Sequence, residues 1–340
     1  MISGHGDDSF RYGGKIKMNF SSNLPGFADL SGLKAHLATK LDVIGTYPEP
    51  EATKLESMLA EHLGIPQNSV MVTAGAIEAI YLIAQRYRGW ASVIPQPTFS
   101  EYEDACRMHG HIVSYDDDDR EHLPEKRVYW ICNPNNPTGN VMLKALLNHL
   151  VRNQQKYVFV IDQSYETYTM MDMLQPKEMQ DCSNLILIHS MSKQYCIPGL
   201  RLSYLTASPV VIAQLRRYRQ PWTVNALAIE AGKYLIGNDV EVIPDRKAYL
   251  EEAKRLHTEL NSLPGLRMMD SAASFMLGYL ENGKAANLKR WLVEQHGMLI
   301  RNASNFRGLN NHYFRVSAQT PDENDALVTA IRTYLQSGNY

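Results

Sequence analysis

Ser190-Met191-Ser192-Lys193-Gln194-Tyr195-Cys196-Ile197-Pro198-Gly199-Leu200-Arg201 is the stretch on which the reading of this chain turns. The strongly apolar run 184–189 leads into it as a buried strand, and residues 202–206 lead out as another. One lysine therefore stands on a tight connection between two core strands, with two hydroxyls just before it and an arginine eight residues on. Desolvation frees a lysine amine to attack a carbonyl. Two serines and an arginine are suited to hold a phosphate close by. An amine nucleophile beside a phosphate cradle suggests pyridoxal phosphate. The alternative is a loop lysine on the surface, and the rest of the chain has to decide between them.

Apolar segments recur around that stretch at 70–73, 91–95, 111–115, 128–132, 157–162, 185–190 and 202–206. Helical spacing lies between or before them at 51–63, 78–86, 101–108 and 141–155. Such alternation predicts an α/β fold: a large domain with a mostly parallel seven-stranded sheet sandwiched by helices, which binds its ligand at the carboxyl ends of the strands. Past Pro221-Trp222 the pattern changes to long helices at 224–235 and 244–260. Strands at 274–279, 298–301 and 313–317 then mix with helices at 285–296 and 323–335, a smaller C-terminal α+β domain. The divisions are an N-terminal arm with little core of its own (1–40), a large domain (41–235) and a small one (236–340).

The totals narrow the function. With 340 residues the chain has room for about two domains at ~150 residues each. A net charge of −2 carries no basic field, which argues against nucleic acid as a partner. Cys106, Cys132, Cys182 and Cys196 lie too far apart for metal-ligand spacing and read as buried thiols of a reducing compartment. The acidic run Asp116–Asp119 lacks the glycine and glutamate of a calcium loop and reads as a solvated turn, so no metal is expected. The first eight residues have no apolar segment, and no apolar run approaches ~18 residues. A cytoplasmic protein that does not enter a membrane is the expectation.

Polar groups gather where the sheet should bind. Asn133-Pro134-Asn135-Asn136-Pro137-Thr138-Gly139 follows one strand; it is either a turn or a source of side-chain amides for the crevice. Asp162 ends the next strand, with Tyr165 three residues on. The aspartate reads either as a helix cap or as the partner of a protonated ring nitrogen.

Asn136-Pro137-Thr138-Gly139, Asp162-x-x-Tyr165, Ser190-x-Ser192-Lys193 and Arg201, in this order, resemble the class I/II aminotransferases of the fold-type I pyridoxal-phosphate enzymes. The resemblance covers most of the chain. It implies Lys193 as the Schiff-base lysine and proton shuttle, and Asp162 as partner of the pyridine nitrogen. Asn136 and Tyr165 would contact the ring hydroxyl, and Ser190, Ser192 and Arg201 would hold the phosphate. Phe99, in Pro97-Thr98-Phe99-Ser100-Glu101-Tyr102, stands at the ring-stacking position. Thr73-Ala74-Gly75-Ala76-Ile77-Glu78 stands at the family's glycine-rich turn, where the amides of Gly75, Ala76 and Ile77 face the phosphate. Related enzymes often carry a polar side chain at 76 or 77, so its loss here shifts the grip to Arg201 and the serines. Tyr47-Pro48 resembles the segment whose tyrosine reaches a neighbouring subunit's cofactor, implying a homodimer with shared active sites.

The substrate side rests on the same resemblance. Arg315, in Tyr313-Phe314-Arg315-Val316-Ser317, stands where the family clamps the substrate carboxylate. Arg301 falls where histidinol-phosphate aminotransferases hold the substrate phosphate, and Asn23 would meet the substrate from the arm. Residues 197–201, 221–228 and 299–309 resemble the threonine-phosphate decarboxylases of the cobalamin pathway. The expectation is therefore decarboxylation at Cα of a phosphorylated amino acid, with histidinol-phosphate-type transamination as the alternative. A non-catalytic ligand-sensing module on the same fold is a remoter one.

Overall fold

The computed structural model describes residues 7–115 and 123–338, so the acidic run 116–119 lies outside the described residues. All seven expected strands of the large sheet form. They are β1 (Val70–Thr73), β2 (Ala91–Val93), β3 (Ile112–Ser114), β4 (Arg127–Cys132), β5 (Val158–Asp162), β6 (Leu185–His189) and β7 (Ser203–Ala207). Their order is β1-β7-β6-β5-β4-β2-β3, and every neighbouring pair is parallel except the two that β7 makes.

The strands read as continuous apolar runs because helices cover both faces. In β5 and β6 every residue is buried. Alternate side chains serve two cores. Val160, Ile186 and Ile188 pack with Ile80, Ile83 and Tyr102 on one face, and Phe159, Ile161, Leu185 and Leu187 pack with Leu147 and Val151 on the other. Shifting either strand by one residue would send both sets to the wrong core, so the register is strongly fixed.

Strands β8 (Leu266–Met268), β9 (Phe275–Leu280), β10 (Arg301–Asn302) and β11 (Tyr313–Ser317) form a second, antiparallel sheet in the order β10-β11-β9-β8. The single strand expected at 298–301 divides. Met298–Leu299 pairs in parallel with Met18–Asn19, and Arg301 passes to β11 opposite Arg315. The arm is thereby tied down: Phe20 is fully buried, and its carbonyl accepts the Ser317 N–H at 2.9 Å. It also holds a helix the sequence did not announce, Ser31–Ala38, which packs on the Ala226–Gly237 helix and stacks His36 on Tyr234 at 4.6 Å.

The strand directions decide where the site falls. Strands β1, β2, β4, β5 and β6 all end at one edge of the sheet, while β7 starts there. The loops bearing Gly75, Phe99, Asn136, Tyr165 and Lys193 therefore converge on that edge.

Candidate active site

A cavity of about 510 Å³ opens at this edge. Ala76, Ile77, Phe99, Asn136, Asp162, Tyr165, Ser190, Ser192, Lys193, Arg201 and Arg315 all line it, so most of the expected site residues come together. Ser22, Leu24 and Asp7 close it from the arm.

Asp162 is almost wholly buried at the end of β5. Its Oδ1 accepts the Ser164 N–H at 2.9 Å and its Oδ2 accepts the Tyr102 hydroxyl at 2.7 Å. Burial raises its pKa; the bonds from Ser164 and Tyr102 and the nearby His189 oppose the rise. His189 is itself stacked on Tyr204 at 4.7 Å, with Nδ1 2.8 Å from Glu166.

Lys193 lies on the short turn Met191–Gln194 that follows β6, and its Nζ is 5.7 Å from the Tyr165 ring centre. Backbone bonds brace the turn: the Lys193 carbonyl accepts the Tyr168 hydroxyl at 2.6 Å. The Ser192 hydroxyl donates to the Leu202 carbonyl at 3.0 Å and accepts the Leu202 N–H at 3.1 Å. Ser192 thus ties the lysine turn to the start of β7. Ser190 Oγ lies 3.3 Å from Ser203 Oγ, whose hydroxyl also reaches the Leu202 carbonyl at 2.9 Å.

Opposite the lysine, Gly75 precedes the Ala76–Arg86 helix at φ 86°, ψ 163°, a conformation reserved for glycine. The Arg201 guanidinium fills the space a side chain at Gly75 would need. The helix's first amides, which have no intrahelical acceptor, and this guanidinium make a cradle for an anion.

Arg315 is buried. It donates to Asn136 Oδ1 and, at 2.6 Å, to the Ser21 carbonyl, which leaves its Nε–H without a partner among the described residues. Burial lowers its pKa to about 10, so it stays charged at neutral pH. Arg301 sits across the strand pair from it, but lines an adjoining pocket of about 450 Å³ with Arg11, Lys289 and Asp8, and donates to Asn305 Oδ1 at 2.7 Å. Asn23 is fully buried at φ 58° between two cavity residues, both amide atoms lacking a partner among the described residues. Tyr47 is 86 % exposed, packs on Trp222 at 5.4 Å, and is not among the residues lining its own chain's cavity.

Comparison with known proteins agrees with this fold. Residues 15–331 match the family described as "Aminotransferase class I and II". The chain belongs to the class I and II aminotransferases. Among solved structures, this aminotransferase-family chain resembles the L-threonine-O-3-phosphate decarboxylase from Porphyromonas gingivalis at TM-score 0.90 and 36 % identity, covering 94 % of this chain and 99 % of the other. It is 28 % identical to the threonine-phosphate decarboxylase of Salmonella typhimurium over 94 % of its own length and 91 % of that protein's. It is also 28 % identical to the histidinol-phosphate aminotransferase of Thermoanaerobacter sp., over 87 % and 86 %.

As a member of this family the protein is a pyridoxal-phosphate-dependent enzyme, and its cavity fits that cofactor. The Gly75–Arg201 cradle suits the phosphate, the Phe99 face suits a flat ring, and the buried Asp162 anion needs a cationic partner. Among the described residues no cluster of side chains is arranged to hold a metal, and no helix is long and apolar enough to cross a membrane. Sequence reasoning missed two contributors. Tyr102 sits at helical spacing from Ala105 and Cys106 and reads as plain core, and Glu101, whose carboxylate accepts the Tyr81 hydroxyl at 2.9 Å, also lines the cavity.

Proposed function

We propose that this aminotransferase-family enzyme decarboxylates an O-phosphorylated amino acid of the threonine-phosphate type at Cα, within the cobalamin pathway. The observation carrying this reading is the comparison of solved structures. Identity is 36 % at TM-score 0.90 with the P. gingivalis decarboxylase, against 23 % at 0.82 with the histidinol-phosphate aminotransferase from Clostridium acetobutylicum. Transamination of histidinol phosphate is the second reading, because relatives of that name also span 86–87 % of the chain.

When bound, pyridoxal phosphate supplies an electron-poor ring that takes up the electron pair released as a bond to Cα breaks. The chain's residues do the rest. The Ala76 and Ile77 amides, Ser190 and Arg201 would hold the phosphate beside Gly75, whose own N–H is given to the Thr73 carbonyl at 2.8 Å, and Ser192 fixes the turn beneath it. Phe99 would cover one ring face, Asp162 would pair with the ring nitrogen, and Asn136 and Tyr165 would meet the ring hydroxyl. Lys193 would hold the cofactor through its Nζ, and the same amine would supply the proton that takes the place of the carboxylate at Cα. The net change is amino acid plus one proton to amine plus carbon dioxide.

Which bond breaks depends on how the substrate's anionic ends are held, because only the bond perpendicular to the ring is weakened. Arg315 takes the carboxylate with its free Nε–H, and Arg301, on the same sheet face, takes the phosphate. Asn23 sets the arm segment that covers both.

Leu41, Ile44, Tyr47 and Trp222 are exposed apolar side chains, which supports a homodimer in which Tyr47 completes the partner's phosphate site. Four unpaired cysteines support a cytoplasmic location, and the separation of the four-stranded from the seven-stranded sheet supports the division at about residue 236. The test is incubation of the cofactor-loaded enzyme with threonine phosphate. Aminopropanol phosphate and carbon dioxide are expected; turnover only with histidinol phosphate and 2-oxoglutarate would replace this reading with the second one.

A further inference from the structure

Tyr102 does not touch the cavity merely in passing. It is fully buried on the Glu101–Met108 helix, its ring stacked on Trp130 at 5.5 Å and 24°. Phe99 meets it edge-on at 5.7 Å and 83°. Its hydroxyl donates to Asp162 Oδ2 at 2.7 Å, while Ser164 N–H occupies Oδ1. Each carboxylate oxygen accepts two bonds, so both retain a lone pair for a donor in the cavity.

The other titratable groups near this carboxylate are Cys132, its register partner on β4, and His189 at the end of β6. Burial holds the Cys132 thiol near 12, so it brings no charge. His189 Nδ1 lies 2.8 Å from Glu166, and its Nε2 makes no hydrogen bond among the described residues, so its effect on Asp162 is through space. A buried carboxylate without donors would take up a proton, and a neutral acid cannot pair with a protonated ring nitrogen. Tyr102 resists this as a permanent donor, since burial and the adjacent Asp162 push its own pKa well above the ordinary range.

We propose that Tyr102 is a positioning residue for the cofactor, whose hydroxyl keeps the Asp162 carboxylate anionic and turned toward the ring nitrogen while its ring backs the Phe99 stacking face. The inference rests on the pyridoxal-phosphate reading of the cavity and adds a residue to it. A tyrosine present only for packing would bond any convenient acceptor. This one bonds the single carboxylate on which the cofactor's electronics depend.

Tyr102→Phe keeps the aromatic stack and removes only the donor. Asp162 then becomes more basic and draws the proton away from the ring nitrogen, so the ring withdraws electrons less strongly. In holoenzyme carrying cofactor labelled with ¹⁵N, the ring-nitrogen signal should move toward the neutral pyridine position. The pH midpoint of the visible band, which follows the proton on Lys193 Nζ, should rise. Cofactor affinity should fall about 10-fold, the loss of one bond to a charged group. Incorporating 3-fluorotyrosine at 102 strengthens the donor without altering the shape, and should move the midpoint down; this arm decides the matter if the Phe variant does not fold. An unchanged nitrogen signal and an unchanged midpoint in the variants would overturn the proposal. Absence of any visible band in the unsubstituted protein plus pyridoxal phosphate would instead remove the cofactor reading beneath it.

Discussion

Gly75→Ala tests the phosphate cradle by adding one carbon. At φ 86° and ψ 163° an alanine is strained by ~1–3 kcal/mol, and this lowers the stability of the folded protein with or without cofactor. The added Cβ also collides with the Arg201 guanidinium. That group is the mobile end of a long, exposed side chain held to the Pro198 carbonyl at 3.2 Å, so it swings aside at little cost to the fold. Swinging aside forfeits a charge-assisted bond to phosphate worth ~1.5–3 kcal/mol, roughly a 10- to 100-fold loss of cofactor affinity. The assay is quenching of protein fluorescence as apoprotein is titrated with pyridoxal phosphate and, separately, with pyridoxal. The variant should bind pyridoxal phosphate 10- to 100-fold more weakly, yet bind phosphate-free pyridoxal as the unsubstituted protein does. Equal weakening of both ligands, or none, would refute the assignment of Gly75 and Arg201 to the phosphate.

Arg315→Lys removes a fork that spans Asn136 and Ser21, and kcat/KM should fall roughly 100-fold with cofactor affinity unchanged, as steady-state kinetics and the same titration will show. Arg307 grips Glu103 with two bonds of 2.8 and 3.0 Å over the Tyr115 ring. Burial pushes the Glu103 pKa up, but Arg307, Arg107 and Tyr115 outweigh it and bring it from 4.5 to about 2. A pKa depressed by folding stabilises the native state above the unfolded value and loses that contribution as pH falls from 4.5 toward 2. Arg307→Ala should therefore raise the pH of acid unfolding, followed by circular dichroism. Glu56 is buried where it accepts the Val72 N–H at 3.0 Å and a bond from Arg216, with Arg219 buried 3.7 Å away. Glu56→Ala leaves buried positive charge uncompensated and should cost ~3–5 kcal/mol in urea unfolding.

The large sheet was legible because its strands are covered on both faces, and a strand so placed must be apolar throughout. Asp162 stood out because it is a charged residue ending such a run, and Lys193 because it stands on the tight connection between two of them. Other features depend on which element becomes the neighbour, and an apolar pattern does not carry that information. Residues 298–301 look like one strand, yet the arm claims Met298–Leu299 and β11 claims Arg301. Arg301 and Arg315 look alike in sequence, and only the tertiary arrangement puts Arg315 in the main cavity and Arg301 in the pocket beside it. Ser192 reads from sequence as a cavity hydroxyl, and its two bonds to Leu202 appear only in the tertiary structure. Tyr102 was hidden for the opposite reason, since its ring is core and only the hydroxyl reaches Asp162.

Borohydride reduction of the holoenzyme, followed by peptide mass mapping, addresses the central claim most directly, because it fixes the cofactor on whichever amine carries it. A pyridoxyl-phosphate adduct on Lys193, lost together with the visible band in Lys193→Ala, is the predicted result. An adduct on another lysine, or none from protein that has bound the cofactor, would contradict the account.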